Sequence, residues 1–131
     1  MDASGVGDRI TLMPGDYLTS PFGTGYDVAL LSGMMHRETP ANCQLLLRKA
    51  FDAMQPGGLV MVSDVFFDDA SKRTPPFAVH FALNMALTSD DGSAHAMTEM
   101  ADWMRGAGFI DVVTHPLPKP NPHTILTGTR P

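Results

Sequence analysis

The chain has 131 residues, 44% of them hydrophobic and 18% charged, with a formal net charge of −5 and one cysteine. This is the composition and length of one globular domain spanning residues 1–131, and the acidic balance argues against nucleic acid or an anionic membrane as partner, since both need a basic face. Cys43 alone cannot form an internal disulfide or a thiolate-cluster metal site, no apolar run approaches the roughly 20 residues that span a bilayer, and the N-terminus lacks a basic-then-apolar signal, so a cytoplasmic protein is expected.

Residues 1–8 read as a loose, glycine-rich lead-in. Ser4-Gly5-Val6-Gly7 is not a nucleotide loop, because such a loop needs a strand before it and a helix after it to aim N–H groups at the ligand. Arg9–Pro14 is a short strand candidate stopped by Pro14-Gly15, and Tyr17–Gly25 is a loop. Tyr26–Ser32 carries the apolar run Val28-Ala-Leu-Leu31 without period-2 alternation, which predicts a strand buried on both faces of a parallel sheet. His36 follows just beyond its carboxyl end, the edge at which open α/β sheets place ligands.

Thr39-Pro40 reads as an N-cap followed by proline at the first helical position. Leu46, Leu47, Ala50, Phe51 and Met54 then recur at helical spacing, with Cys43 as a small core-facing thiol, and Pro56-Gly57-Gly58 ends the helix. Leu59–Val65 is a second apolar strand that carries Asp64 at its end. Strand, helix and strand make a right-handed βαβ unit.

Phe66–Thr74 reads as a charged loop, Pro75-Pro76 opens a helix over Phe77–Thr88, and Ser89–Ala94 is an acidic turn. Met97–Ala107 is a third helix. Phe109–Thr114 and Thr124–Thr129 are two further strands, joined by Pro-Leu-Pro-Lys-Pro-Asn-Pro, a proline at every second position that predicts an extended, stiff linker. The predicted fold class is α/β, a Rossmann-like domain with a mixed sheet of about five strands and flanking helices.

The words Asp8-Arg9-Ile10, Pro14-Gly15-Asp16-Tyr17, Tyr26-Asp27-Val28, His36, Leu47-Arg48-Lys49, Pro56-Gly57-Gly58, Ser63-Asp64 and Ala107-Gly108-Phe109 occur in order and cover nearly the whole chain. In that set the chain resembles the S-adenosylmethionine-dependent small-molecule O-methyltransferases of the caffeate and acetylserotonin type. The resemblance covers the second half of that family's catalytic domain, whose seven-stranded sheet runs 3-2-1-4-5-7-6. It therefore implies a truncated domain that begins just before strand 3, without the glycine-rich cofactor loop and with reduced cofactor affinity.

By the same resemblance His36 is the base that deprotonates the acceptor hydroxyl, and Asp64 orients it; an imidazole suits the task because its pKa of about 6.5 lets it accept a proton near neutrality. Asp16, Tyr17 and Ser32 fall where the family contacts S-adenosylmethionine. His80, Asn84 and Met85 lie on the helix that lines the acceptor pocket, with Phe77 and Phe81 in its apolar wall. The family's second flanking acid falls on Ala94, a departure, with Asp91 nearby.

Three readings stay open at this point: an O-methyltransferase acting on a small hydroxylated molecule, a repurposed domain in which His36 and Asp64 hydrolyse small substrates, and a non-catalytic self-associating remnant. No metal site is predicted, because His36, Asp64, His80 and His95 lack ligand spacing. Without its family neighbours the strand Tyr26–Ser32 becomes an apolar edge, which either Arg9–Pro14 covers or a second copy pairs with. A homodimer is expected, built across that edge or through the methionine-rich helices.

Overall fold

The structure, a computed structural model, describes residues 5–131. Of the Ser4-Gly5-Val6-Gly7 motif, Ser4 lies outside the described residues, as does the first half of the lead-in. A 3-10 turn, Gly7–Arg9, is followed by an irregular, exposed stretch to Gly25. Then come β1 (Tyr26–Ser32), a 3-10 turn at Met35–Arg37, α1 (Pro40–Ala53), β2 (Met54–Asp64), β3 (Phe66–Phe67) and α2 (Pro76–Thr88). The chain closes with β4 (His95–Ala96), α3 (Met97–Gly106), β5 (Ile110–Pro116) and β6 (Thr124–Thr129).

The main sheet is mixed and four-stranded, in the order β1-β2-β6-β5. β1 pairs parallel with β2, while β6 runs antiparallel to both β2 and β5. That order corresponds to the 4-5-7-6 end of the order the resemblance implied. β3 and β4 form a separate parallel ladder of two residues each, β3 within the segment expected to be a loop and β4 between the expected turn and helix.

Thr39 caps α1 as its sequence predicts, its Oγ1 accepting the Asn42 N–H at 3.2 Å. One face of α1 (Cys43, Leu46, Leu47) and of α3 (Met100, Met104) packs on Leu31, Val60, Val62 and Leu126 of the sheet to form the main core. Gly108 ends α3 at φ +109°, where a Cβ would come within 2.9 Å of the Phe51 ring, so the close approach of the two helices requires glycine. Arg130 Nη1 donates to the Phe51 carbonyl at 2.8 Å and to the Met54 carbonyl, fastening the C-terminus to the end of α1.

Several expectations are corrected. Arg9–Pro14 is not a strand; it pairs with nothing in the sheet and is exposed, so it does not cover the β1 edge. β1 itself is not buried on both faces: only Leu31 is fully buried, whereas Val28 and Leu30 are 54% and 61% exposed. Among the described residues, helices cover one face of the sheet alone. Leu30, Met61, Thr127 and Val113 are in register across the four strands, as are Val28, Leu59, Thr129 and Ile110, and with Ile125 they share the opposite, open face.

β2 begins at Met54 rather than after Pro56-Gly57-Gly58. Gly57 takes φ +82° and donates its N–H to the Arg130 carbonyl at 2.8 Å, which carries the extended chain through the triplet with an irregular register against β1. The proline-rich linker is not straight. The Asn121 N–H bonds the Pro118 carbonyl at 3.1 Å, turning the chain so that β6 can fold back onto β5 with Pro116 opposite Thr124.

Candidate active site

β1 and β2 run in register to Ser32 opposite Ser63, and Gly33 N–H bonds the Ser63 carbonyl at 2.8 Å. The next residue of β2 is Asp64, whose side chain is 2% exposed and faces the covered side of the sheet. Its carboxylate accepts three N–H groups: His36 Nδ1 at 2.8 Å, the His36 backbone at 3.2 Å and the Val65 backbone at 2.8 Å. A carboxylate already taking two backbone donors acts as an acceptor, so Nδ1 of His36 carries the proton in the neutral ring. Nε2 is left with its lone pair free, and no described residue bonds it.

The His36 side chain is 13% exposed and meets the edge of Phe81 at 4.9 Å, ring planes 81° apart. Phe77 stacks on Phe81 at 6.4 Å. The result is a carboxylate-held imidazole whose ring packs against an aromatic pair at the carboxyl end of the parallel strands. Chemically such an arrangement can accept a proton at the free nitrogen, because the carboxylate fixes the tautomer.

Asp16 and Tyr17 lie together on the loop before β1. Asp16 Oδ1 accepts the Leu18 N–H at 2.8 Å, and Lys49 Nζ fastens the loop by donating to the carbonyls of Tyr17, Leu18 and Ser20. Tyr17 Oη donates to Glu38 Oε1 at 2.5 Å, and that hydrogen bond, followed by partial burial and the charge of Glu38, holds the phenol pKa above its ordinary value. Both residues line a surface cavity of about 350 Å³ with Met13, Pro14 and Phe22. Ser32 stands apart from this cavity, exposed at the end of β1.

His80 and Asn84 are both exposed on α2, and neither side chain bonds His36; Met85 is half-buried. The α2 residue brought to the base is Phe81. Ala94, where the family acid falls, is fully buried, and its neighbour Ser93 donates its N–H to the His36 carbonyl at 2.9 Å. The segment thus lies beside the His36 backbone, with alanine at the position where the family acid falls. Asp91 is exposed. Among the described residues no group of three or more His, Cys, Asp or Glu is arranged to hold a metal ion, and no helix is long and apolar enough to cross a membrane.

Two residues that the motifs did not single out for the site matter to its geometry. Glu38 is 7% exposed and bridges Tyr17 to Asn42 Nδ2 (2.8 Å), and only its place before the Thr39-Pro40 cap hinted at a fixed position. His95 is buried against the turn that carries His36, and nothing in its sequence neighbourhood distinguishes it from a surface histidine.

Comparison with known proteins adds ancestry to this geometry. The family model described as the O-methyltransferase domain matches residues 2–110. The tetracenomycin polyketide synthesis 8-O-methyl transferase TcmO of Streptomyces glaucescens is 32% identical over 124 residues, covering 95% of this chain and 35% of TcmO. The S-adenosylmethionine-dependent methyltransferase SibL, in its apo form, superposes with a TM-score of 0.88 at 30% identity, covering 99% of this chain and 38% of SibL. PigF of Serratia sp., solved with SAH, gives a TM-score of 0.87 at 28% identity, covering 99% and 42%. The chain therefore spans a little over a third of the length of the relatives it matches.

Proposed function

The chain belongs to the O-methyltransferase family, and on that premise we propose that it takes part in S-adenosylmethionine-dependent methyl transfer to the hydroxyl of a small molecule, with His36 as the general base. The observation that carries this reading is the Asp64–His36 pair at the carboxyl end of β1 and β2, with Nδ1 held at 2.8 Å. His36 Nε2 takes the acceptor's hydroxyl proton, which raises the nucleophilicity of the oxygen. Asp64 keeps that nitrogen free by holding the proton on Nδ1, and its negative charge stabilises the imidazolium that forms. Phe81 and Phe77 supply an apolar wall on which a flat, aromatic acceptor would pack.

The donor set of the 350 Å³ cavity fits the adenosine end of the cofactor. Asp16 keeps its second carboxylate oxygen for an exocyclic amine, and the Tyr17 ring offers a face for the heterocycle. Asp16 and Tyr17 would hold that end, and Ser32 would approach from the end of β1. When bound, S-adenosylmethionine supplies the electrophilic methyl group. The same reading includes a homodimer, supported by the unpaired β1 edge and the open apolar face of the sheet.

Titration calorimetry with S-adenosylmethionine, alongside transfer of a labelled methyl group to a panel of small phenols, tests this directly. Binding with transfer that is lost in His36→Ala, while the cofactor still binds, is expected. No binding at millimolar cofactor would overturn the proposal.

A further inference from the structure

His36 is held to Asp64 from the β2 side, but its turn is also gripped from the other side. His95, 4% exposed on β4, points its Nε2 at two backbone carbonyls, Met35 and Glu38, each 3.0 Å away. These carbonyls flank the Met35–Arg37 turn. Both can only accept, so Nε2 of His95 carries the proton and shares it between them. The carbonyl of His36, lying between the two in sequence, is taken by the Ser93 N–H at 2.9 Å. Carbonyls 35, 36 and 38 are thus all satisfied by the single segment 93–95.

We propose that His95 is a positioning residue for the base: by clamping the carbonyls on both sides of the Met35–Arg37 turn, it fixes His36 in the orientation in which Asp64 receives its Nδ1–H and Nε2 stays free. The functional weight of this proposal rests on the reading of His36 as base; its geometry does not. The clamp is itself fixed. β4 is pinned to β3 by the Phe66–His95 and Phe67–Ala96 pairs, and the His95 ring meets Trp103 edge-on at 5.2 Å and 74°. Cys43 Sγ packs 3.5 Å from Nε2 and 3.4 Å from the Met35 carbonyl, closing the site to water.

The turn has other restraints, namely the Gly33–Ser63 bond before it, the Met35 side chain buried in the main core and the Glu38 carboxylate held by Tyr17 and Asn42. Its own backbone bonds, Arg37 N–H to the Met34 carbonyl and Glu38 N–H to the Met35 carbonyl, define its shape but not its placement over β2. Among the contacts to the His36 residue itself and to the carbonyls beside it, placement comes from Asp64 on one side and the 93–95 segment on the other. With the His95 donor gone, the Met35 carbonyl keeps the Glu38 N–H and the Cys43 thiol but the Glu38 carbonyl keeps only the thiol, 3.8 Å away, and the turn can rotate to find water at the expense of the His36–Asp64 geometry.

Nitrogen-15 NMR of the imidazoles in the full chain, at about pH 8 where free histidine is neutral, reads the outcome. Wild-type protein should show His36 as a single Nδ1–H tautomer and His95 as Nε2–H. His95→Gln, whose amide nitrogen reaches the place of Nε2 and can donate to both carbonyls, should keep the His36 tautomer. His95→Asn, which falls short, should turn His36 into a mixture of tautomers. Trp103→Leu removes the packing but not the hydrogen bonds; it should lower the melting temperature and leave the tautomer alone. Finding His95 as Nδ1–H in the wild type, a single Nδ1–H tautomer of His36 in folded His95→Asn, or scrambling by Trp103→Leu as severe as by His95→Asn would overturn the proposal. None of these readouts involves cofactor or methyl transfer, so failure of the proposed activity and failure of the clamp are separate results.

Discussion

At the scale of single residues, the site is organised by one buried carboxylate. Asp64 takes three N–H groups and so decides which nitrogen of His36 is free. Asp64→Asn replaces one acceptor oxygen by a donor, which favours the opposite imidazole tautomer. Methyl transfer should then fall by roughly 10²–10⁴-fold, the usual worth of a positioned acid–base group, measured as kcat with S-adenosylmethionine and a phenolic acceptor. Cys43 makes the contrasting case. Burial, reinforced by the charges of Glu38 and Asp64, pushes its thiol from 9.0 up to about 12. Alkylation by iodoacetamide at about pH 8 should be at least roughly a hundredfold slower in the folded chain than in urea, because the thiolate is the nucleophile. The sign for stability follows: the unfolded chain loses this proton first, so stability is level below pH 9.0 and falls as pH rises toward about 12.

At the scale of elements, local chemistry and packing agree closely in α1 and α3 and part company elsewhere. The Thr39-Pro40 start of α1 and the Gly108 end of α3 are readable from sequence because they answer local demands, an unpaired N–H and a left-handed backbone. Gly108→Ala should cost about 1–3 kcal/mol in urea unfolding, since the new methyl group meets Phe51 at 2.9 Å and φ is +109°. The linker between β5 and β6 shows the limit of such reading. Its alternating prolines favour extended backbone, yet the pairing of Pro116 with Thr124 imposes a turn. β3 and β4 carry no strand signal of their own, being only two residues each, and exist because Phe66 buries itself in the main core while Phe67 and Ala96 join a second buried cluster with Val65, Ala78 and Ala94.

At the scale of the whole molecule, one face of a four-stranded sheet is covered and the other is not. Val28 and Leu30 stand exposed on its edge strand, and α2 presents Val79, Leu83 and Leu87, spaced four residues apart, to solvent. If a second copy covers the β1 edge, light scattering should give a dimer mass for the wild-type chain and a monomer for the Val28→Lys, Leu30→Lys double variant. A wild-type monomer that is well folded would count against the homodimer. The sequence by itself determined the order of the three helices and the four strands of the main sheet, the mixed α/β class, the family and the pair His36 and Asp64, because apolar periodicity, caps and motif order are properties of neighbours along the chain. It could not decide that Arg9–Pro14 would stay unpaired, that β1 would be half-exposed, or that His95 would reach across 57 residues to the carbonyl of Glu38. Those outcomes depend on which surfaces meet, and burial and buried hydrogen bonds are settled only when elements far apart in sequence pack together.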